Sequence, residues 1–568
     1  MKNSRESVRE WESESVKNQN ACGGVAFSTL PRSHAPTPSL RAPLISLSLS
    51  LASVCLIGLA WAGQVQFQRI DFLEVDAANG IYSVDVDGDG TPDLVTFGHG
   101  RITVRRGNRN ATPMYPKTPE IILTGSNAYF GTFATVMPGK GKQLLVMTPS
   151  GIDCYAQEGG GFVARPQPLL KCETLLAAKP VLGAIAAQGR GSVSVLPLNF
   201  AFDVDGDGRD DIIVPTINGV EIFLQKEPGK FAPPTVLPIF PVVHHAIVAG
   251  FREDEITPRI LGTRRMLPAR LELDLRKIEV RDVDQDGKPD IVYRDPRRGD
   301  VYFAQKPGGG FETVPADVPG GAAPPAARDL MDVAGVGRMD RLAAENDLSD
   351  PLNIITRVRL WKANAQGQLP AEPDQTVVGQ NILIYSDLPI HDFAKDGTLG
   401  FAMFKVDISP TDLARWIRLN LGKIDGDLNF YLYDKARGRY PRSPSYTKPI
   451  RMVFTIDPGE AIMGFVWERY LGTMMRFEGD FNADSRVDLL VREETNTISL
   501  YFNTARRSEL FRRSPDLQLE KTPDFSGLGV DDLNGDGASD LILYGGRMPY
   551  NFMAPQTGVV TVYISDLR

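Results

Sequence analysis

A nine-residue acidic loop that recurs along the chain limits what this sequence can fold into. Its first copy runs from Asp85 to Asp93, reads Asp-Val-Asp-Gly-Asp-Gly-Thr-Pro-Asp, and is followed by the apolar pair Leu94-Val95. Carboxylates at positions 1, 3, 5 and 9 of a short Gly-rich loop repel one another at neutral pH, so the loop is hard to fold without a cation. Calcium takes six to eight oxygen ligands at ~2.3–2.6 Å. The four carboxylates and the carbonyl of position 7 can supply them.

Five copies of the loop keep this spacing and predict five calcium sites. The predicted ligands are Asp85, Asp87, Asp89, Thr91 and Asp93; Asp203, Asp205, Asp207, Arg209 and Asp211; Asp282, Asp284, Asp286, Lys288 and Asp290; Asp480, Asn482, Asp484, Arg486 and Asp488; and Asp532, Asn534, Asp536, Ala538 and Asp540. The residues at position 7 would contribute their carbonyl oxygens. Because one rigid hairpin supplies all the ligands, little room is left for the open coordination position of a catalytic metal. We therefore expect Ca²⁺ to stabilise the fold and to take no part in catalysis.

An EF-hand is the nearest alternative, and the sequence argues against it. An EF-hand needs a bidentate Glu at position 12 between two helices. Position 12 is instead occupied by Thr96, Val214, Tyr293, Val491 or Leu543, and the flanking segments are rich in β-branched residues. The ligand set therefore closes at position 9, inside a strand-loop-strand hairpin.

Weaker copies of the loop begin at Thr135, Asp332 and Asp392, so that eight units begin 50 to 88 residues apart. In each unit a strand enters the loop, an apolar strand leaves it, and a third, alternating strand follows a turn. A Gly-Gly-Phe or Gly-Lys-Phe step, as at Gly309 and Gly229, is expected to open a fourth strand. This pattern predicts an all-β fold, an eight-bladed β-propeller of four-stranded antiparallel blades, with seven blades as the alternative.

The units resemble FG-GAP repeats, also called VCBS repeats, which are found in integrin α-chain propellers and in many exported bacterial proteins. The resemblance covers most of residues 65–568 and rests on the acidic loops given above. It implies one calcium hairpin per blade. The units beginning at Thr135, Asp332 and Asp392 depart from the family pattern in their acids, so the resemblance does not extend calcium binding to them.

Two further features predict how the propeller closes and where it carries an insert. The last unit ends with a third strand near residues 558–564, whereas residues 65–72 read as an isolated strand. Because an open edge is a liability, we expect the N-terminal strand to complete the last blade. A helix is predicted near residues 409–421, with a capping start at Ser409-Pro-Thr-Asp412, an apolar face that includes Leu421, and a stop at Gly422.

The N-terminal region predicts export. An apolar segment from Leu44 to Ala60 is followed by Ala60-Trp-Ala62, which is typical of a secretory signal cleaved after Ala62. A retained membrane anchor is the alternative. We therefore divide the chain into residues 1–62, an extension with a signal peptide, and residues 63–568, the propeller. The expected location is secreted, periplasmic or at the cell surface, with membrane contact only through this segment.

Net charge and the absence of catalytic motifs limit the classes of function that we expect for this chain. The formal net charge of −8 argues against a nucleic-acid partner, which needs a basic face. The sequence contains no Gly-x-Ser-x-Gly, His-Glu-x-x-His or P-loop motif. His244 and His245 are adjacent, so in a strand they would point to opposite faces. We expect a monomeric binding or adhesion module for a protein or glycan, more readily than an enzyme. The alternative is an extracellular polysaccharide lyase or hydrolase with a cleft on one propeller face.

Cys154 and Cys172 are the two cysteines that follow the signal segment. In an exported protein they could form a disulfide, and two buried thiols are equally compatible with the sequence.

Overall fold

Eight β-sheets of four or five strands follow one another along the chain and close into a ring, which confirms the predicted eight-bladed propeller. The computed structural model describes residues 65–75, 81–177, 195–239, 243–247, 269–273, 278–284, 286–295, 298–318, 330–347, 354–365, 367–381, 388–406, 409–419, 421–455, 475–522, 527–544 and 557–567. The predicted signal segment lies outside these residues.

The N-terminal strand has 11 residues, and the first four blades, with the hairpin of Val243–Ile247 and Ala269–Leu273 between the third and the fourth, are built from shorter strands. They are β1 Val65–Val75; β2 Ile81–Val84, β3 Asp93–Gly98, β4 Arg101–Arg105 and β5 Glu120–Leu123; β6 Phe130–Ala134, β7 Gln143–Thr148, β8 Gly151–Tyr155, β9 Gln157–Glu158, β10 Gly161–Phe162, β11 Gln167–Lys171 and β12 Leu196–Pro197; β13 Ala201–Phe202, β14 Asp211–Thr216, β15 Gly219–Phe223, β16 Gln225–Glu227, β17 Lys230–Phe231 and β18 Thr235–Leu237; β19 Val243–Ile247 and β20 Ala269–Leu273; and β21 Ile278–Arg281, β22 Asp290–Asp295, β23 Gly299–Phe303 and β24 Ala316–Asp317.

The last four blades include longer strands and a helix. Their elements are β25 Leu330–Met331, β26 Asp340–Asp347, β27 Ile355–Trp361 and β28 Gln375–Gln380; β29 Ile390–His391, β30 Gly400–Val406, α1 Pro410–Leu419, β31 Leu421–Tyr431 and β32 Tyr446–Thr455; β33 Met475–Arg476, β34 Leu489–Glu494, β35 Thr497–Tyr501, β36 Asn503–Arg506, β37 Glu509–Phe511 and β38 Leu517–Glu520; and β39 Gly527–Asp531, β40 Asp540–Tyr544 and β41 Thr557–Leu567.

Most blades contain four antiparallel strands. The second blade has a fifth, because β12 pairs in parallel with β6. The second strands β3, β7, β14 and β40 are buried along their whole length, since each blade packs face to face against its neighbours. Apolar clusters accordingly cross the seams between blades, as where Leu94 of the first blade packs with Ile542 and Val562 of the eighth.

The ring closes with the N-terminal strand, as predicted. β1 pairs with β41 over its full length, from Val65 opposite Leu567 to Val75 opposite Thr557, and so forms the outer strand of the eighth blade. At the inner edge, the Ser83 hydroxyl of the first blade donates to Asp531 of the eighth. The N-terminal strand therefore completes the eighth blade, and the Ser83–Asp531 hydrogen bond joins that blade to the first.

The structure corrects the predicted position of the fourth strands. The Gly-Lys-Phe step forms the small separate hairpin β16–β17, and the fourth strand of that blade is β18. Likewise, Phe311 makes only an isolated bridge with Gln305, whereas β24 completes the blade. The Gly turn reverses the chain within a few residues, so the segment after it pairs with the segment just before it. The chain returns to the blade only after this local pairing.

The helix begins as predicted and ends earlier. The Ser409 backbone N–H donates to Asp412 (3.1 Å), and the Asp412 N–H donates back to the Ser409 hydroxyl (3.2 Å), which forms a capping box. Gly422 does not stop the helix, which ends at Leu419. Leu421, the first residue of β31, already pairs with Thr455 of β32. None of the helices in the described part of the chain has the length and apolar character needed to cross a bilayer.

Cys154 and Cys172 are both free thiols. Cys154 lies opposite Gln167, whereas Lys171, next to Cys172, lies opposite Gly151. This register separates the two cysteines by roughly 13 Å along the strands, beyond the ~7 Å limit for a disulfide. Burial raises the pKa of each thiol to about 11.

Candidate metal centres in the blade loops

Each acidic loop joins the first strand of its blade to the second, and in three blades the loop brings three carboxylates together. In these groups, carboxylate oxygens from positions 1, 3 and 9 all lie within 4.8 Å of one another. The groups are Asp85, Asp87 and Asp93; Asp203, Asp205 and Asp211; and Asp282, Asp284 and Asp290. A cation with ~2.4 Å bonds holds opposite oxygen ligands about 5 Å apart, so this spacing fits calcium.

Two oxygen atoms at position 3 support the same fit. Within the described residues, Asp205 Oδ1 and Asn482 Oδ1 are buried and have no hydrogen-bond partner. A buried acceptor without a partner costs about 1–3 kcal/mol, which a bound cation would offset. Asn482 belongs to the seventh loop, where the amide replaces an acid, so the orphaned oxygen extends the fit to that loop.

Position 1 shapes the loop without a metal. The Gly88 and Gly90 N–H groups donate to the Asp85 carboxylate at 2.7 and 3.0 Å, and both glycines have positive φ (73° and 87°). The weaker fifth and sixth loops keep the same turn, in which backbone N–H groups donate to Asp332 and Asp392. The turn therefore persists where the other acids have been lost.

Position 9 connects the loop to the end of the third strand. Asp93 Oδ2 accepts from the Val86 N–H (3.0 Å) and its Oδ1 from the Gly107 N–H (2.8 Å). The same pair of bonds recurs at the position-9 residues Asp211, Asp290, Asp488 and Asp540. Sequence reasoning assigned position 9 only as a ligand and missed this structural role.

Burial of the position-9 carboxyls opposes their ionisation. Burial raises the pKa of Asp93 to about 6, of Asp211 and Asp540 to about 7, and of Asp488 to about 8. Neighbouring loop carboxylates add to the effect, as Asp205 does at Asp211. A divalent cation in the loop would favour the ionised forms, so the loops are electrostatically suited to one.

The position-5 carboxylates are placed differently from positions 1, 3 and 9. Asp207 and Asp484 form ion pairs with Arg209 and Arg486 at position 7 of their own loops. Asp89 Oδ1 accepts from the Thr91 N–H at 2.6 Å, and the other loops repeat this bond. Position 5 is therefore held within the loop by position 7.

The loops that lost acids replace them with other contacts. In the second loop, Gln143 occupies position 9, and its side-chain oxygen accepts from the Val136 and Met137 N–H groups at 2.9 and 2.8 Å. In the sixth loop, the Arg507 guanidinium of the next blade donates to Asp396 at 2.7 Å. Although partial burial opposes it, hydrogen bonds from Thr398 and Arg507 lower the pKa of Asp396.

Residues 480–543, which contain the seventh loop and the first two strands of the eighth blade, match the family model described as FG-GAP-like repeat. The chain is an eight-bladed β-propeller that contains an FG-GAP-like repeat. The match and the ring of eight blades confirm the resemblance drawn from the loops.

Solved structures align with this propeller at low similarity. A lectin of Agrocybe aegerita that recognises non-reducing terminal N-acetylglucosamine aligns over 67% of this chain and 85% of its own, with 14% identity and a TM-score of 0.30. BBS1N in complex with ARL6DN covers 86% and 91% with 9% identity (0.28), and the V. cholerae biofilm matrix protein Bap1 covers 85% and 76% with 11% identity (0.25). A comparison with curated proteins found no match.

Side-chain amides join four loops of this propeller to the following blade. Gln157 donates to the Val86 carbonyl (2.7 Å), and Gln225 donates to the Val136 carbonyl (2.7 Å). Gln305 and Asn503 make corresponding bonds to Asp205 and Phe393. Each amide lies two residues after the aromatic residue that ends the third strand, in Tyr155-Ala-Gln, Phe223-Leu-Gln, Phe303-Ala-Gln and Tyr501-Phe-Asn. This aromatic-x-amide pattern in the sequence could have predicted the contacts between blades, and it was missed.

Proposed function

We propose that the protein is an exported binding or adhesion module in which calcium ions hold the blade loops rigid, while loops and inserts contact a protein or glycan. The observation that carries the proposal is the convergence of three carboxylates in each of three blade loops. FG-GAP propeller domains are typically extracellular, which agrees with the sequence-based expectation of export.

The residues that would hold the ion are the loop residues at positions 1, 3 and 9, with further oxygen ligands expected from positions 5 and 7. A bound ion would neutralise the converging carboxylates and satisfy the orphaned oxygen of Asp205. The four amides that join a loop to the following blade would then also be held in place at the contacts between blades. The face loops would then present a fixed surface to the partner.

Thermal unfolding of the chain with calcium and with excess chelator tests the metal part of the proposal. At a calcium concentration of a hundred times the dissociation constant, one site contributes about 2.7 kcal/mol, and several sites contribute more. Magnesium serves as the control ion, because it demands a smaller octahedral site. An unchanged melting temperature in chelator would refute the proposal that bound calcium stabilises the fold.

A binding screen tests the partner part. The calcium-loaded chain, applied to glycan and protein arrays, is expected to retain a defined set of ligands, and chelator is expected to weaken that binding. Retention of no glycan or protein above background would contradict the binding function while leaving the calcium result intact.

A further inference from the structure

A cavity of about 300 Å³ lies where the first blade meets the second. Its floor is one face of the second blade, where Val146 and Thr148 of β7 lie beside Asp153 and Tyr155 of β8. These residues share a face because side chains alternate along a strand. The walls are the connection at residues 123–128 and two residues that precede β11, Ala164 and Pro166.

Two polar groups of this cavity have no partner in the described part of the chain. Thr124 Oγ1 is buried without a hydrogen bond. Asp153 is half-buried, and it accepts no hydrogen bond and forms no ion pair with any residue that the structure describes. Burial accordingly raises the pKa of Asp153.

Two other hydroxyls of the cavity are already paired, whereas the Asn127 amide at its rim is exposed to solvent. The Tyr155 hydroxyl donates to the Leu123 carbonyl (3.3 Å), and the Thr148 hydroxyl donates to the Gly151 carbonyl (3.1 Å). The cavity therefore offers the Asp153 carboxylate, the buried Thr124 hydroxyl and the Asn127 amide, beside the buried apolar side chains of Ala128 and Val146.

We propose that this cavity binds a small ligand that carries an ammonium group next to one or more hydroxyl groups. Asp153 is the one charged residue among the described lining residues, so a cation satisfies it better than a neutral molecule. An ammonium donates three hydrogen bonds and is a strong partner for a carboxylate. The Thr124 hydroxyl can donate to or accept from a ligand hydroxyl, and the carbon skeleton packs on Val146. The volume lies at the lower end of the range for small-molecule sites.

This site is separate from the metal loops. The loop of the second blade, residues 135–143, has no acidic residue, and neither Thr124 nor Asp153 belongs to any of the acidic loops. All measurements are therefore made on the full chain in excess calcium, so that loss of the ammonium site and loss of the calcium sites give different results.

The probe is serinol (2-aminopropane-1,3-diol), and its matched neutral control is glycerol, which replaces the ammonium by a hydroxyl. Calorimetric or NMR titration is expected to show binding of serinol about tenfold tighter than that of glycerol.

Asp153→Asn keeps the side-chain size, and it is expected to reduce serinol affinity to that of glycerol. Thr124→Val is expected to weaken both. Glu158→Gln, an exposed position of hairpin β9–β10 in the same blade, is the control and is expected to change neither.

A crystal structure with serinol is expected to show it against Asp153. Equal binding of serinol and glycerol, unchanged affinity in Asp153→Asn, serinol at another place, or water alone in the cavity would each overturn the proposal. Circular dichroism and the melting temperature establish that each variant is folded. Should Asp153→Asn fail to fold, the serinol-to-glycerol ratio on the unmodified chain and the Thr124→Val variant still decide the outcome.

Discussion

At the scale of single residues, positions 3 and 9 of the acidic loops have different roles. Both oxygens of Asp211 accept backbone N–H groups, from Val204 (3.0 Å) and Gln225 (2.7 Å). Asp205, at position 3, keeps Oδ1 without a hydrogen-bond partner among the described residues. Position 9 therefore stabilises the blade with or without an ion. At position 3, Asp205 Oδ2 lies 3.7 Å from the Lys226 ammonium, and Oδ1 remains for an ion.

We expect Asp205→Asn and Asp211→Asn to separate these roles. In chelator, Asp205→Asn should lower the free energy of unfolding by less than about 1 kcal/mol, because it removes only the ion pair with the half-exposed Lys226. In saturating calcium, it should lose up to one site's share, about 2.7 kcal/mol at a hundred times the dissociation constant. Asp211→Asn places an amide N–H₂ against a backbone donor and should cost about 1–3 kcal/mol in chelator as well. Urea unfolding of both variants in both buffers measures this difference, and equal losses in chelator would contradict the division of roles.

His391 gives a pH dependence that is independent of calcium. Burial lowers its pKa to about 4, and its ring packs edge-on against Phe393 at 5.4 Å between centroids. In the unfolded chain the pKa is ~6.5, so the unfolded state takes up the proton first as the pH falls. The stability contributed by the neutral ring is fully present above pH ~6.5 and is lost toward pH ~4.

The variant His391→Phe removes this titration and keeps an aromatic ring. In chelator, we expect it to lose less stability than the unmodified chain between pH 7 and pH 4.5, by on the order of 2 kcal/mol. Urea unfolding at the two pH values measures the difference. Parallel losses in the two proteins would show that His391 titrates as it does in the unfolded chain.

At the scale of the element, the sixth loop shows how a blade can do without a metal. Positions 3 and 9 are Ala394 and Gly400, so the loop lacks two of the three converging acids. A Cβ on Gly400 would lie 2.9 Å from Leu432 and 3.1 Å from the Tyr431 carbonyl, which disfavours an acid there. Arg507 of the seventh blade instead donates to Asp396 (2.7 Å) and to the Tyr433 carbonyl (2.8 Å). A guanidinium thus supplies the positive charge at this seam.

We therefore expect Arg507→Met to destabilise the chain by about 1 kcal/mol, the upper part of the range for a partly exposed ion pair. Unlike the loss in Asp205→Asn, this loss should be the same in calcium and in chelator. Arg506→Met, at an exposed neighbouring position, is the matched control. Chemical denaturation in both buffers measures the effect. A loss that appears only in calcium would mean that the sixth loop also holds an ion.

The elements that the sequence predicted well have local signatures, and those it missed depend on distant contacts. The acidic loops, the apolar second strands and the Ser409–Asp412 cap are each specified within about ten residues. The helix end was wrong because Leu421 pairs with Thr455, a contact that overrides the stop expected at Gly422. The amide of Gln157 meets the Val86 carbonyl 71 residues away, and Arg507 meets Asp396 over 111 residues. Only the folded ring brings these groups together.

At the scale of the whole molecule, the eight blades depend on the seam where the two ends of the chain meet. Glu74 of β1 and Arg105 of β4 form a buried ion pair at 2.9 Å, with both side chains no more than 3% exposed. Arg105 also lies over the Phe72 ring at 4.0 Å and donates to the Leu73 carbonyl (3.0 Å). Thr103 donates a further bond to Glu74 (3.1 Å). This group joins the closing strand to the first blade.

Removal of the buried carboxylate tests whether this seam keeps the ring closed. Glu74→Ala leaves the Arg105 charge buried without its partner, so we expect a loss of about 3–5 kcal/mol together with faster hydrogen exchange and proteolysis in residues 65–75. Leu73→Ala is the control, because Leu73 neighbours Glu74 on the same strand and its side chain is 65% exposed. The control should change stability by less than about 0.5 kcal/mol. Glu74→Ala and Leu73→Ala could instead unfold at the same denaturant concentration and show equal protection of β1 from hydrogen exchange and proteolysis. Closure of the ring would then rest on the β1–β41 backbone pairing alone.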